Sequence, residues 1–570
     1  MREGVGAGVR VSGTDATGRG GWRHRLADAV PAALAVVVGL LGTAAAQAET
    51  VIRTVSFEYH ATTGLLTKET VEPDDANYRV ITTYTYDDFG NRLTSTSSGV
   101  GVANRTTTHT YDANGRFALT TTNTLGHTET RTYDPKFGQV LTQTGPNGLT
   151  TTNQYDKWGR LTQTTAPDGA VEQRTYALLT EGMETCITSS AAPQRCEVSD
   201  RLGRLSYVKR PSFHSGVHVL ESRTLYDRAG RPYLQLRPGE GMTMFSGHSG
   251  GTASFYDLSG RVVEVRDVDS EVTSGTSSPL AAIGNPCNAP SCLKTTYTYG
   301  YDVGTRQTWV QSTDPKGNQE KRYSDFAGRL VKVTDALNNS TTYAYNATGQ
   351  LTQTTDPLGN KITTAYNKRG EKSSTTDPDM GTWTYEYTVY GELWRQTDAK
   401  AQVTTMVYDA LGRLIQRSEP EMVSYWRYDT YQDSSPCPKG IGKLCSAWVS
   451  HGYERKHIYD AYGRSSTVQI KVDGNWYDTS YTYDGNGRLA TLTYPNGFAV
   501  TYAYTASNHP WKVVRNDTGS TIYEVVSDRY APTVGSFREY KAVYGDGFQE
   551  QRLWDKHGRP TTTTYRSPSN

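Results

Sequence analysis

Apolar and polar side chains alternate in short Thr-rich runs from Gln350 to Thr355 and again from Asn360 to Tyr366. That period belongs to a β-strand, not a helix. Asn346-Ala347-Thr348-Gly349 precedes the first run and Asp356-Pro357-Leu358-Gly359 separates the two. Both read as turns in which Gly supplies a positive φ, and Pro357 presets φ at the second position of its turn. One period is therefore strand, turn, strand, turn, with antiparallel strands. No helical pattern of useful length follows residue 50.

The period recurs. Gly328, Gly349, Gly370, Gly391 and Gly412 end successive turns 21 residues apart, and related turns place glycines at 90, 115, 138, 159, 203, 230, 260, 304, 463, 487 and 558. The second turn returns as Asp314-Pro315-Lys316-Gly317, Pro167-Asp168-Gly169, Pro146-Asn147-Gly148 and Pro495-Asn496-Gly497. A lone hairpin is not stable in water, so neighbouring units must add edge to edge. The pattern predicts an all-β fold: a repetitive antiparallel β-hairpin ribbon of about 21 residues per repeat, curved and hollow, an incomplete shell. Tyr345, Tyr366, Tyr387 and Tyr408 should stack as a ladder. Leu330, Leu351, Leu393 and Leu414 should form a second row, with Lys372 standing in the unit between.

Composition sharpens this picture. The chain has 570 residues, 55 of them Gly and 40 Tyr but only 11 Phe. Its aromatic content is phenolic, suited to half-wet surfaces and not to one solid core. A net charge of +1 gives no basis for nucleic-acid binding. Arg10, Arg19, Arg23 and Arg25 precede an apolar run from Ala29 to Leu41 and then Ala46-Gln47-Ala48, the order of a cleaved secretory leader. The boundaries expected are a signal peptide at 1–48, an entry segment at 49–83, the array at 84–562 and a tail at 563–570. Export places six cysteines in an oxidising compartment, and they fall in three close pairs: Cys186 with Cys196, Cys287 with Cys292, and Cys437 with Cys445. Three local disulfides are expected, pinning insertions near 183–199, 268–296 and 420–456 that project as loops for partner contacts. Repeats near 505–552 are degenerate.

Catalytic and metal patterns are sparse. Gly247-His248-Ser249-Gly250-Gly251 fits G-x-S-x-G, but Thr252 to Tyr256 leads directly into another turn, leaving no helix for a nucleophile elbow. No His pair has metal spacing, and Asp112, Asp227, Asp257 and Asp409 recur at one turn position, as residues bonding their own backbone. No cofactor, metal or enzymatic activity is expected. Tyr425, Trp426, Trp448 and Tyr453, around the third cysteine pair, are the best candidates for stacking on sugar rings or a partner.

Tyr226-Asp-Arg-Ala-Gly-Arg231, Tyr256-Asp-Leu-Ser-Gly-Arg261, Tyr408-Asp-Ala-Leu-Gly-Arg-Leu414 and Tyr459-Asp-Ala-Tyr-Gly-Arg464 resemble the YD repeat of the Rhs family. That family includes Rhs polymorphic toxins, wall-associated proteins of Gram-positive bacteria, the B and C components of Tc toxins, and teneurins. The resemblance implies a ribbon that spirals into a shell around a polypeptide, commonly a toxin. The family's self-cleaving Asp-Pro-x-Gly segment and toxin have no counterpart here, because Asp314-Pro315, Asp356-Pro357 and Asp377-Pro378 are turns within the repeats. The expected function is thus an exported, non-enzymatic Rhs-type scaffold holding a polypeptide cargo or a downstream Rhs-type fragment. The alternative is a cell-surface carbohydrate-binding protein. The strand from Thr561 to Tyr565 should offer a free edge for self-association.

Intact mass of the secreted or periplasmic protein tests the leader and the cysteines together. The expected mass starts at Glu49 and lacks six thiol hydrogens; retention of residues 1–48, or thiol labelling without reductant, is the contrary result.

Overall fold

The computed structural model describes residues 53–211, 213, 219–239, 251–268, 293–529, 538–554 and 559–568. The chain divides into two units, Met1–Leu40 and Leu41–Asn570, and every described residue lies in the second. The leader, Ser249 and the histidines at 214 and 218 lie outside the described residues. Cys287 and Cys292 also lie outside them, so the second of the three expected disulfides, Cys287 to Cys292, is not among those described; the other two are.

The described residues contain no helix and form one sheet of 42 strands, numbered in chain order from β1 (Val55–Tyr59) to β42 (Pro560–Arg566). Each strand pairs antiparallel with the strand before and the strand after it. β1 and β42 each carry one ladder among the described residues, so the sheet is not closed into a barrel. Hairpins begin before residue 84: Tyr59 and Gly64 flank a turn between β1 and β2 (Leu66–Val71). Strand pairing also continues through the described residues of 505–552, where Asn508 adopts φ 65° in the place of the turn Gly and the ladder shifts register at Val513/Val514 and at Val525/Ser527.

One unit shows why the sequence folds this way. β22 (Leu330–Thr334), β23 (Ser340–Tyr345) and β24 (Leu351–Thr355) are successive strands. Between β23 and β24 the Asn346 carbonyl accepts the Gly349 N–H, while Asn346 Oδ1 accepts the N–H groups of Thr348 and Gln350. Gly349 sits at φ 86°, and the ladder shifts by one residue between Ala344 and Tyr345. This is a type I turn closed by a bulge that requires a left-handed residue, hence Gly. The Asp356 turn repeats the same hydrogen bonds on its own side chain, with Gly359 at φ 90°.

The tyrosines do not stack as the expected ladder. Successive turn tyrosines lie two strands apart, about 9–10 Å, too far for ring contact. An Arg fills the gap. Asp227 Oδ1 accepts the Ala229 and Arg231 amides at 2.9 Å, and its Oδ2 accepts Arg231 Nε–H at 2.7 Å. The oriented guanidinium lies 4.5 Å from the centroid of Tyr256, the tyrosine of the next unit. Tyr256 in turn donates its hydroxyl to the Pro232 carbonyl at 2.7 Å. The same relay links Asp325, Arg329, Tyr345 and the Leu330 carbonyl, and again Asp484, Arg488, Tyr504 and the Leu489 carbonyl. The relay thus couples turns that carry Asp and Arg to the next unit; at Gly349, Gly370 and Gly391 the Arg position is Gln350, Glu371 and Glu392, yet Tyr366 and Tyr408 still donate to the Leu351 and Leu393 carbonyls.

Two further expectations are corrected. At Gly304 the turn is irregular, and Arg306, at φ 55°, takes the left-handed position. Cys186 and Cys196 are not in a projecting loop. They face each other across β12 (Gly182–Ser189) and β13 (Arg195–Asp200) as a cross-strand disulfide inside the sheet. Gly182 starts that hairpin because an added Cβ would fall 1.8 Å from the Ser199 carbonyl oxygen.

Apolar burial is sparse. The core cluster is Leu234, Leu236 and Ala253, ringed by Leu225, Tyr233 and Phe255. The Tyr hydroxyl is therefore a measurable part of the sheet. Tyr345→Phe is expected to raise hydrogen exchange of the amides in β22 and β23 roughly five-fold, about 1 kcal/mol. Amides in the distant Ser465–Val472 strand should be unchanged, as in a nearest-neighbour array.

Candidate functional site: the two turn rims

The hairpins place all turns that follow the repeat tyrosine along one edge of the ribbon, the Tyr rim, and the Asp-Pro-type turns along the other, the far rim. These rims meet where the ribbon laps over itself. The far rim of residues 53–213 contacts the Tyr rim of residues 368–509, with partners 287 to 319 residues apart. Lys368 Nζ reaches Glu72 at 2.8 Å. Tyr390 donates its hydroxyl to the carbonyls of Ser97 and Ala103 at 2.8 and 3.1 Å, beneath the Arg105 guanidinium 4.1 Å from its ring centroid. Arg105 also pairs with Glu392. Val389, at the turn apex, is 6% exposed and packs over Gly99.

Farther along, Asn147 Nδ2 donates to the Ile441 carbonyl at 2.8 Å and its Oδ1 accepts the Ile441 N–H at 2.9 Å. Lys439 Nζ donates to the Asn147 carbonyl at 2.8 Å. Arg464 pairs with Asp168 at 2.9 Å. Asn508 Nδ2 lies 3.2 Å from the carbonyls of Ser189 and Ala192, and His509 meets Phe213.

The third disulfide, Cys437–Cys445, belongs to this contact. Its loop carries Lys439 and Ile441 and docks on the chain's own first lap; it does not project toward a partner. Asp429, at the loop's start, adopts φ 69° and accepts Arg413 through both oxygens, at 3.2 and 2.7 Å. His127 Nε2 of the first lap lies 3.5 Å from its Oδ2. Burial acts to raise the Asp429 carboxyl, but the Arg413 hydrogen bonds and the Gly442 N–H outweigh it and hold the group below the usual carboxylate range.

The four aromatics expected to bind a sugar or partner are not on that loop. Tyr425 and Trp426 lie on β31 (Val423–Tyr428) and Trp448 on β32 (Leu444–Val449). Tyr425 and Trp448 are directly paired and stack on each other, centroids 5.1 Å apart and planes within 15°. Trp426 pairs instead with Ala447, and strand alternation puts it on the opposite face. Tyr453 is exposed in the next far-rim turn. The structure thus brings two of the four together and separates the others. The lap residues were missed because their partners are some 300 positions away and share no motif.

Among the described residues one group has metal-type side chains in reach: Glu184, Cys186 and Cys196. Both sulfurs are committed to the disulfide, leaving no thiolate. The turn carboxylates are structural. Asp227 is held below the usual carboxylate range first by the Arg231 amide, against some desolvation, and then by the Arg231 guanidinium. Burial lowers His457 and raises Tyr459.

Residues 133–171 and 327–361 match the family model for the RHS Repeat. These hairpins are Rhs repeats. No curated protein sequence matches the chain. The fold of the 42-stranded ribbon is similar to the crystal structure of TcdB2–TccC3–Cdc42, with a TM-score of 0.52 and 12% identity over 90% of this chain and 39% of that one. It is also similar to TcdB2–TccC3, with a TM-score of 0.51 and 13% identity over 90% of this chain and 37% of that one. TcdB2–TccC3 without its hypervariable C-terminal region gives 0.50 and 12% over 91% and 39%. This chain spans about two fifths of the length of these structures. At such identity the likeness carries the ribbon fold.

Proposed function

We propose that this Rhs-repeat scaffold is an exported, non-enzymatic wall that holds a polypeptide partner, toxin-like in kind. The observation that carries the reading is the lap. A ribbon whose far rim is bonded to its own Tyr rim by Asn147, Lys439, Arg464 and Tyr390 closes the gap between successive windings, as a retaining wall must. The polar, Thr-rich strands suit a surface that faces water or an unfolded chain without gripping it. The solved structures of similar fold pair TcdB2 with TccC3, which supports a polypeptide and not a small molecule as the partner. Paired cysteines and the leader motif support export.

Co-expression with the product of the adjoining reading frame tests this. The expected outcome is a complex that survives gel filtration in high salt and in which the partner resists protease until the scaffold is unfolded. A partner that elutes separately, or is digested as fast as when alone, overturns the reading.

A further inference from the structure

The lap shows what a Tyr rim is built to contact, and most of the first lap's own Tyr rim has no such contact among the described residues. Where the second lap is docked, the apex residue Val389 is 6% exposed; on the first lap, apex residues Trp158, Leu202 and Phe326 are 64%, 77% and 79% exposed. Phe89 and Leu258 stand out in the same way. These five side chains stand on every second or third turn of one edge, and the exposed Phe137, Leu178 and Val303 stand at turns between them, so together they form an apolar row and not scattered singles. Between them sit Lys136, Lys157 and Arg228, exposed and without an ion pair among the described residues.

The complementary surface is on the same chain. The far rim of residues 335–380 is covered by no second lap among the described residues, and its turns present Leu337, Leu358 and Met380, 81%, 88% and 60% exposed. Asp335 and Asp356 keep their carboxyls below the usual range through hydrogen bonds from Asn339 and Asn360, so both stay charged; neither meets a cation among the described residues. Asp379 is a third exposed acid there. Two ion pairs of the lap already have this polarity, a Tyr-rim cation meeting a far-rim carboxylate at Lys368–Glu72 and at Arg464–Asp168, while Arg105–Glu392 has the reverse.

We propose that the free Tyr rim of the first lap docks on the free far rim of a second copy of this chain, continuing between molecules the contact that the ribbon makes with itself. The two surfaces differ, so the interface is head-to-tail and each added copy leaves one rim of each kind open. This surface is distinct from the backbone edge of β42, and the inference does not depend on whether the scaffold holds a cargo.

Sedimentation velocity of the full chain and two double variants tests it. Trp158→Glu with Leu202→Glu spoils only the Tyr rim; Leu337→Glu with Leu358→Glu spoils only the far rim. All four side chains are exposed at turns, and circular dichroism and melting curves confirm that each variant is folded. The unmodified chain is expected to form a concentration-dependent series of oligomers that shortens in high salt. Each variant alone should sediment as a monomer, and their equimolar mixture as a dimer that grows no further, because one intact rim of each kind remains. An unmodified chain that stays monomeric overturns the proposal. So does association that neither variant reduces, which would point to the β42 edge, or a mixture that stays monomeric.

Discussion

The structure depends on a relay from carboxylate to guanidinium to phenol. Where a turn Asp is followed four residues on by Arg, as at Asp325, it bonds its own backbone with one oxygen and orients the Arg with the other; that Arg covers the next unit's Tyr, whose hydroxyl returns to the carbonyl after the Arg. Single exposed ion pairs contribute little, and a cation over an exposed ring about 0.5–1 kcal/mol. Here the contacts share atoms and recur along the sheet, so each orders the next. The Tyr hydroxyl bond persists where Gln350 or Glu392 replaces the Arg, at Tyr366 and Tyr408, so the Tyr anchors the strand and the Asp–Arg pair adds the link between turns.

A sheet held in this way needs little apolar core, and it has little. Val198, Leu234, Leu236 and Ala253 are buried, while most other strand positions are only half-buried and many of them are Thr, Ser or Gln. The ribbon is free to be long because its stability is local. What local stability does not supply is closure between windings, and that falls to the rims. Val389 and Tyr390 occupy the same turn positions as Asp88 and Phe89, yet only the former pair is docked. The turn scaffold is constant; the two apex residues decide what it contacts.

The hairpin period was legible because a left-handed Gly and an Asx turn leave a fixed signature every 21 residues. The two described disulfides were legible from cysteine proximity. The role of Tyr was not: its repetition indicates register but does not reveal that strand spacing keeps the rings apart and admits Arg. Arg306 could not be foreseen as the left-handed residue, since Gly304 two positions earlier satisfied the motif. The docked loop of Cys437–Cys445 was read as projecting because its partner, Asn147, lies nearly 300 residues away. Asn147 carries no signal beyond an ordinary Pro-Asn-Gly turn. Local chemistry repeats and can be counted; the lap is set by accumulated curvature, which no short pattern encodes.

The central claim is that this curvature brings residues about 300 positions apart into direct contact within one molecule. Zero-length coupling of amines to carboxylates tests it at Lys368 and Glu72, 2.8 Å apart. In a dilute mixture of isotopically heavy and light protein, the account predicts a cross-linked peptide pair joining Lys368 to Glu72, with both halves carrying the same label. Lys368 joined only to carboxylates of its own or adjoining hairpins, with Glu72 unmodified, would contradict it.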